Sequence, residues 1–312
     1  MAGIVVVGEG MVELAPDPDA GGWRVGQGGD TLNTALHLAR LGGAIGFLTA
    51  LGTDPFSLDL RGRWSREGLD PTLVLTDPVR RPGLYAITND ADGERHFTYW
   101  RGESAARHLF DMPGIDAAMA VAETADLLVF SLISVAILPA DGRERLFDLA
   151  TRIRARGGRV AFDTNFRPAL WPDLVEARAA HARAMALADI GLPTLEDEAA
   201  LIGTGDPASI LARWHAAGVA EVVVKTGPEG CVVDGVRVPP PARLSPVDTS
   251  GAGDAFNAGY LHARLAGAET VAAARAGHRL AAWVVMNRGA VPAVGIDSPY
   301  ASLAAGRAGE LA

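Results

Sequence analysis

The chain has 312 residues, 49% of them hydrophobic and 21% charged, which is enough to bury one large core or two modest ones and excludes disorder. Acidic residues outnumber basic ones by 37 to 28. A net charge of −9 argues against a surface built to attract nucleic acid or anionic lipid, so the expected partner is a small molecule.

Taken in chain order, the first strand is expected at residues 4–7, with no basic segment, long apolar stretch or cleavage site before it, so the expected location is the cytoplasm. Residues 12–14 and 23–25 then flank the turn-rich stretch from Pro16 to Gly22 and read as a hairpin. A second strand of the main series is expected at 46–51. A second hairpin follows, with 84–88 and 95–100 on either side of Asn89-Asp90-Ala91-Asp92-Gly93. These four short strands cannot join a parallel sheet without interrupting it, so they are expected to pair as a small β lid, about 11–26 and 83–101. The longest apolar run, residues 127–138, is broken by Ser131 and Ser134 and stops before Pro139, short of the roughly 20 residues of a membrane span. From there strands recur at 127–131, 160–162, 190–192 and 222–225, in steps of about 30 residues, the length of one strand–helix unit with a right-handed crossover. Helices are expected at 142–156, ended by Gly157-Gly158, and from Asp206-Pro207 to Gly218. Cys231-Val232-Val233 and Val236-Arg237-Val238 form a further hairpin through Asp234-Gly235. The lone Cys231 permits no internal disulfide and reads as a small buried hydrophobe. The seven histidines stand at least twelve positions apart, without local zinc spacing, and no structural metal is expected. The fold class is α/β, a three-layer sandwich around a mainly parallel sheet, in a single domain over 1–312.

The most informative stretch is Asp248-Thr249-Ser250-Gly251-Ala252-Gly253-Asp254-Ala255-Phe256, a small-residue loop entering a helix. Backbone N–H groups of Gly251, Ala252 and Gly253 would lie at the positive end of that helix, where a phosphate is stabilised, and Asp254 beside them is placed to take a proton from an attacking hydroxyl. The plain alternative is a glycine turn with an N-capping Asp. Gly28-Gly29 would let a ligand touch backbone, with Asp30 and Asn33 at the entrance of a helix over 31–41, unless Asp30 simply caps it. Gly227 and Gly230 leave room for a nucleotide or make a packing turn. Lys225 either meets a nucleotide phosphate or ends a strand in solvent.

The segment from Asp248 to Phe256 resembles the C-terminal signature of the ribokinase-like (PfkB-type) carbohydrate kinases. Gly28-Gly29-Asp30-Thr31-Leu32-Asn33-Thr34-Ala35 resembles the sugar-binding segment of that family, Leu41-Gly42 and Leu51-Gly52-Thr53-Asp54 follow at the expected distance, and Val224-Lys225-Thr226-Gly227-Pro228-Glu229-Gly230-Cys231 resembles its nucleotide-binding strand and loop. The likeness spans the chain and implies a ribokinase-like fold with ATP and Mg2+. It makes Asp254 the catalytic base, Gly251, Ala252 and Gly253 the anion hole, and Thr226 part of the nucleotide site with Lys225, Gly227 and Gly230. The family's Asn-x-x-Glu magnesium motif is replaced by Thr194-x-x-Asp197, which leaves Asp197 to hold the metal through water and Thr194 on the nucleotide side. Asp248 and Arg288-Gly289-Ala290 stand where some members hold a monovalent cation.

Tyr99-Trp100-Arg101 and Asp163-Thr164-Asn165-Phe166-Arg167 resemble the members of this family that act on 2-keto-3-deoxygluconate (2-dehydro-3-deoxy-D-gluconate), whose pockets are lined by the corresponding residues. Arg101 and Arg167 suit a carboxylate because a guanidinium binds it bidentately; surface salt bridges are the alternative. Tyr85 either joins that pocket or packs in the core. Asn165 is expected to face the nucleotide. The implied activity is ATP-dependent phosphorylation of the sugar acid's terminal hydroxyl to the 6-phosphate, with a fructokinase- or ribokinase-type activity on a neutral sugar as the runner-up. A non-catalytic sugar-binding regulator is the reading outside the kinase class, and Asp254 argues against it. A dinucleotide oxidoreductase fails because Gly8-Glu9-Gly10 lacks the third small residue, with Glu13 in its place, and the Walker motif is absent. Exposed lid edges invite pairing between copies, so a homo-oligomer, dimer or higher, is expected.

Overall fold

The computed structural model describes residues 3–17, 21–90 and 95–305. The turn residues 18–20 and 91–94 of the two expected lid hairpins lie outside the described residues.

Among the described residues the main sheet has ten strands: β1 (Ile4–Val7), β4 (Ile45–Leu51), β5 (Leu69–Asp70), β6 (Val74–Thr76), β9 (Leu127–Ser131), β10 (Arg159–Asp163), β11 (Ile190–Gly191), β12 (Glu221–Lys225), β13 (Cys231–Val233) and β14 (Val236–Val238). Their order is β14-β13-β12-β11-β10-β9-β1-β4-β5, with β6 also on β4; all pairs are parallel except the antiparallel β12–β13–β14 edge. The central strands are apolar on both faces, and alternate residues feed separate cores. Val5, Val7, Leu128 and Phe130 point into one core, while Ile4, Val6, Leu127 and Val129 point into the other. Helices cover both faces, giving three layers. The β13–β14 turn has both central residues at positive φ, Asp234 at 51° and Gly235 at 73°, as a two-residue hairpin requires.

The second sheet holds four strands, β2 (Met11–Pro16), β3 (Trp23–Gly28), β7 (Leu84–Asn89) and β8 (Arg95–Trp100), in the order β3-β2-β7-β8. Two antiparallel hairpins are joined by a parallel β2–β7 pair. Met11, Ala15, Tyr85 and Ile87 make a small core of their own beneath it.

The apolar run 127–138 is not one element. β9 turns straight into a short helix, Leu132–Ile137, and the two serines that interrupt the run explain the turn: Ser131 and Ser134 form a reciprocal capping box. The first helix begins at Asp30, one residue earlier than expected, and packs against the helix Ala252–Leu265. The C-terminal ends of β1, β9, β10, β11 and β12 converge on the start of that second helix, the edge of an open α/β sheet where ligands bind.

Candidate active site

A cleft of about 1010 Å3 lies between this sheet edge and the four-stranded second sheet, the expected lid. Asp254 is the third residue of the helix Ala252–Leu265, whose N-terminus carries no side-chain cap. Its first turn therefore offers backbone donors and a positive dipole end to an anion. Gly251 before it has φ 70°, and a Cβ there would stand 2.6 Å from that of Ala290. His37 braces the same place, with Nε2 3.0 Å from the Ala290 carbonyl oxygen and Nδ1 2.7 Å from the Tyr300 hydroxyl; burial lowers its pKa to about 4, which keeps the ring neutral.

Asn33 donates to the Asp254 carboxylate at 2.9 Å. Burial and the neighbouring Asp30 carboxylate outweigh that bond and raise the pKa of Asp254 to about 8. Asp30 accepts from the Ser131 hydroxyl at 2.5 Å and from the Asn165 amide at 2.9 Å. Asn165, expected to face the nucleotide, lines the cleft at φ 26° with its side-chain amide bonded to Asp30. Gly29 lines the cleft, and Gly28 lies just behind, where a Cβ would stand 2.0 Å from the Tyr85 hydroxyl. Tyr85 is both core and cleft wall: its ring is buried, and its hydroxyl donates to Glu13 at 2.5 Å. Burial pushes both Tyr85 and Tyr99 above the usual phenol range, so both hydroxyls remain donors.

The two arginines differ. Arg167 lies at the cleft edge, 53% exposed, with Nη1 donating to the Phe166 carbonyl oxygen at 2.8 Å and approaching Asp197 loosely at 3.5 Å. Arg101 is not a free guanidinium: it is buried against Glu9, with Nη2 and Nε at 2.5 and 2.8 Å from one carboxylate oxygen.

On the other side, Lys225 does not end in solvent. It is buried, with Nζ 3.0 Å from Asp163 and 3.2 Å from Asn257, and Asn257 donates back to Asp163 at 2.8 Å. A Cβ on Gly253 would lie 3.8 Å from that ammonium, so the cation sits under the helix terminus. Thr194 lines the cleft, as does Asp197, whose pKa is raised to about 6 by burial and by Asp163 nearby. Thr226, Gly227 and Gly230 are not among the residues lining this cleft. Gly230 is a packing glycine, since a Cβ would stand 2.2 Å from the Val238 carbonyl oxygen, whereas Gly227 faces open space.

Glu9, Glu13, Ser131, Asp163 and Asn257 are the polar residues at the site that sequence reasoning did not single out. Glu9 had a visible signal, a charge between two glycines directly after a fully apolar strand. Among the described residues no group of three or more His, Cys, Asp or Glu side chains is arranged to hold a metal.

A profile of the pfkB family carbohydrate kinases matches residues 1–295. The 2-dehydro-3-deoxygluconokinase of Dickeya dadantii (strain 3937) is 40% identical over 299 residues, 92% of this chain and 96% of that one. The fructokinase of Klebsiella pneumoniae is 33% identical over 266 residues, 83% of each chain. Among solved structures, a double mutant of fructokinase from Vibrio cholerae O395, in fructose-, ADP- and potassium-bound form, matches with a TM-score of 0.81 at 28% identity, covering 98% of both chains. The two-core sheet with its helices and its small second sheet thus agree with sequence likeness along nearly the whole length, and the chain belongs to the pfkB family of carbohydrate kinases.

Proposed function

We propose that the protein transfers the γ-phosphoryl group of ATP to the terminal hydroxyl of 2-dehydro-3-deoxy-D-gluconate, giving the 6-phosphate. The observation that carries this reading is a half-exposed arginine, Arg167, in the same cleft as a carboxylate held at an uncapped helix start, Asp254. A sugar acid gives Arg167 a bidentate partner, whereas a neutral sugar leaves it with only the Phe166 carbonyl and its loose approach to Asp197. The higher identity to 2-dehydro-3-deoxygluconokinase than to fructokinase supports the same choice.

In this reading Asp254 accepts the hydroxyl proton as the sugar oxygen bonds to the γ-phosphorus and the bond to the ADP oxygen breaks. Asn33 holds the carboxylate in place and Asp30 fixes the sugar hydroxyls near it. The backbone of Gly251, Ala252 and Gly253 and the Lys225 ammonium offset the charge on the transferring group. The carboxylates of Asp163 and Asp197 suit magnesium: burial and the nearby Asp163 raise the cost of ionising Asp197, and a bound cation relieves that cost. Magnesium would neutralise phosphate charge, and with one or two carboxylates its remaining ligands are phosphates and water. A monovalent cation is proposed beside Asp248, which joins the loop before Gly251 to Gly289 through N–H bonds of 2.9 and 2.8 Å from Ser250 and Gly289. The four-stranded sheet acts as a lid that excludes water from the γ-phosphate.

A coupled assay across 2-dehydro-3-deoxygluconate, its galactonate epimer, fructose and ribose tests this directly. The sugar acid is expected to give the highest kcat/KM, and ATP hydrolysis without sugar is expected to be slow. Preference for fructose or ribose would replace the proposal with the neutral-sugar kinase, and no turnover with intact ATP and sugar binding would favour a regulator.

A further inference from the structure

One buried charge beside the cleft has no part in the chemistry above. Glu9 stands between Gly8 and Gly10, directly after β1, and is 2% exposed. Its Oε2 accepts from Arg101 Nε at 2.8 Å and lies 2.5 Å from Nη2, while its Oε1 is buried without a hydrogen-bond partner among the described residues. Arg101 is the residue after β8, so this pair ties the first strand of the body to the last strand of the lid sheet. The other lid strands meet it too. A Cβ on Gly29, which follows β3, would stand 2.1 Å from the Glu9 carbonyl oxygen, and one on Gly83, which precedes β7, would stand 2.6 Å from Oε1. β2 begins two residues after Glu9. All four strands of the lid sheet therefore enter or leave the body around one ion pair.

The pair also determines what Arg101 offers the cleft. Glu9 takes Nε and Nη2, which leaves the donors of Nη1 on a guanidinium that lines the cleft and lies 5.8 Å from the Tyr99 ring. Its charge is largely neutralised by Glu9, unlike that of Arg167. We propose that Glu9 is a positioning residue for sugar recognition: it fixes Arg101 so that Nη1 is presented to the sugar in one direction, while Arg167, half-exposed and only loosely paired with Asp197, supplies the positive charge. The proposal rests on the reading of Arg101 as a sugar contact. It adds a division of labour between direction and charge, and it places the determinant on a residue outside the cleft lining.

The test is a double-mutant cycle with Glu9→Gln and Arg101→Leu, measured as KM for the best sugar, KM for ATP, and kcat. Glu9→Gln is expected to raise the sugar KM about tenfold, the scale of a lost charge-assisted hydrogen bond, with kcat and the ATP KM within about twofold. In the Arg101→Leu background the same change is expected to shift the sugar KM by less than about twofold. Removing one partner of a buried pair destabilises a fold, so Glu9→Asp is the second variant, keeping the charge but withdrawing it by one methylene, with an expected rise of about threefold. Equal KM shifts in both backgrounds, or a drop in thermal stability with no change of sugar KM in either Glu9 variant, overturns the positioning role. An unchanged KM in Arg101→Leu overturns it as well. Wild-type preference for a neutral sugar defeats the sugar-acid reading alone, since the cycle can be run on that sugar.

Discussion

The cleft around Asp254 and the Thr226 to Gly230 loop beyond its lining are built on different plans. Around Asp254, side chain holds side chain: Asn33 grips its carboxylate, Asp30 holds Ser131 and Asn165, and Lys225 is locked between Asp163 and Asn257. In the Thr226 to Gly230 loop, outside the cleft lining, Gly227 faces open space and Gly230 is pressed on Val238. The first is organised by folding before any ligand arrives, and the second leaves room for a ligand to complete it. Preorganised polar groups belong where charge develops in a transition state, whereas a nucleotide's flat base and its phosphates ask mainly for space and N–H donors.

The largest effect expected from breaking this contrast is at Asp254. Asp254→Asn is expected to lower kcat by roughly 10²-fold to 10⁴-fold, typical of a lost general base, with ATP binding close to wild type because the loop end is untouched. Equilibrium nucleotide titration beside steady-state rates checks both halves. A pH profile comes next. A base whose pKa is about 8 in the free protein is mostly protonated at lower pH, so kcat/KM is expected to fall about tenfold per unit below pH 8 and to level above it. A profile flat between pH 6 and 9 would remove the link between burial and base strength.

Two smaller effects concern stability. The folded-state pKa of Asp254 lies above the ordinary value of 3.8, so the fold favours the neutral acid; that contribution is complete below about pH 4 and is lost as pH rises through about 8. Asp254→Asn is therefore expected to melt a few degrees higher than wild type at pH 8.5, with the gap closing toward pH 4. At the loop end, Gly230→Ala is expected to lower Tm by a few degrees while leaving the sugar KM unchanged, because its Cβ meets a carbonyl oxygen and no ligand. A differential scan and a sugar titration separate these outcomes.

The same contrast governs what was legible in the sequence. Strands such as β1 and β9 carry β-branched or apolar runs long enough to read, and the turn Asp234-Gly235 announces its hairpin. β5 and β6, two and three residues long, carry no period and were not expected. At the site, residues within short motifs were visible, from Gly28 to Asn33 and from Gly251 to Asp254. The partners that hold them were not, because Ser131, Asn257 and Glu9 reach Asp30, Asp163 and Arg101 only through tertiary contact, across 101, 94 and 92 positions. Asn165 is a further case: its motif places it at the cleft, but its bond to Asp30, 135 positions earlier, is not written in that motif.

The central claim is that the cleft selects a sugar bearing a carboxylate through Arg167. The most direct test is the ratio of kcat/KM for 2-dehydro-3-deoxygluconate to that for fructose, in wild type and in Arg167→Leu. A lost guanidinium–carboxylate contact is worth about 1.5 to 3 kcal/mol, so the ratio is expected to fall tenfold to a hundredfold, with the fructose value nearly unchanged. An Arg167→Leu enzyme that loses activity equally toward both sugars contradicts the claim.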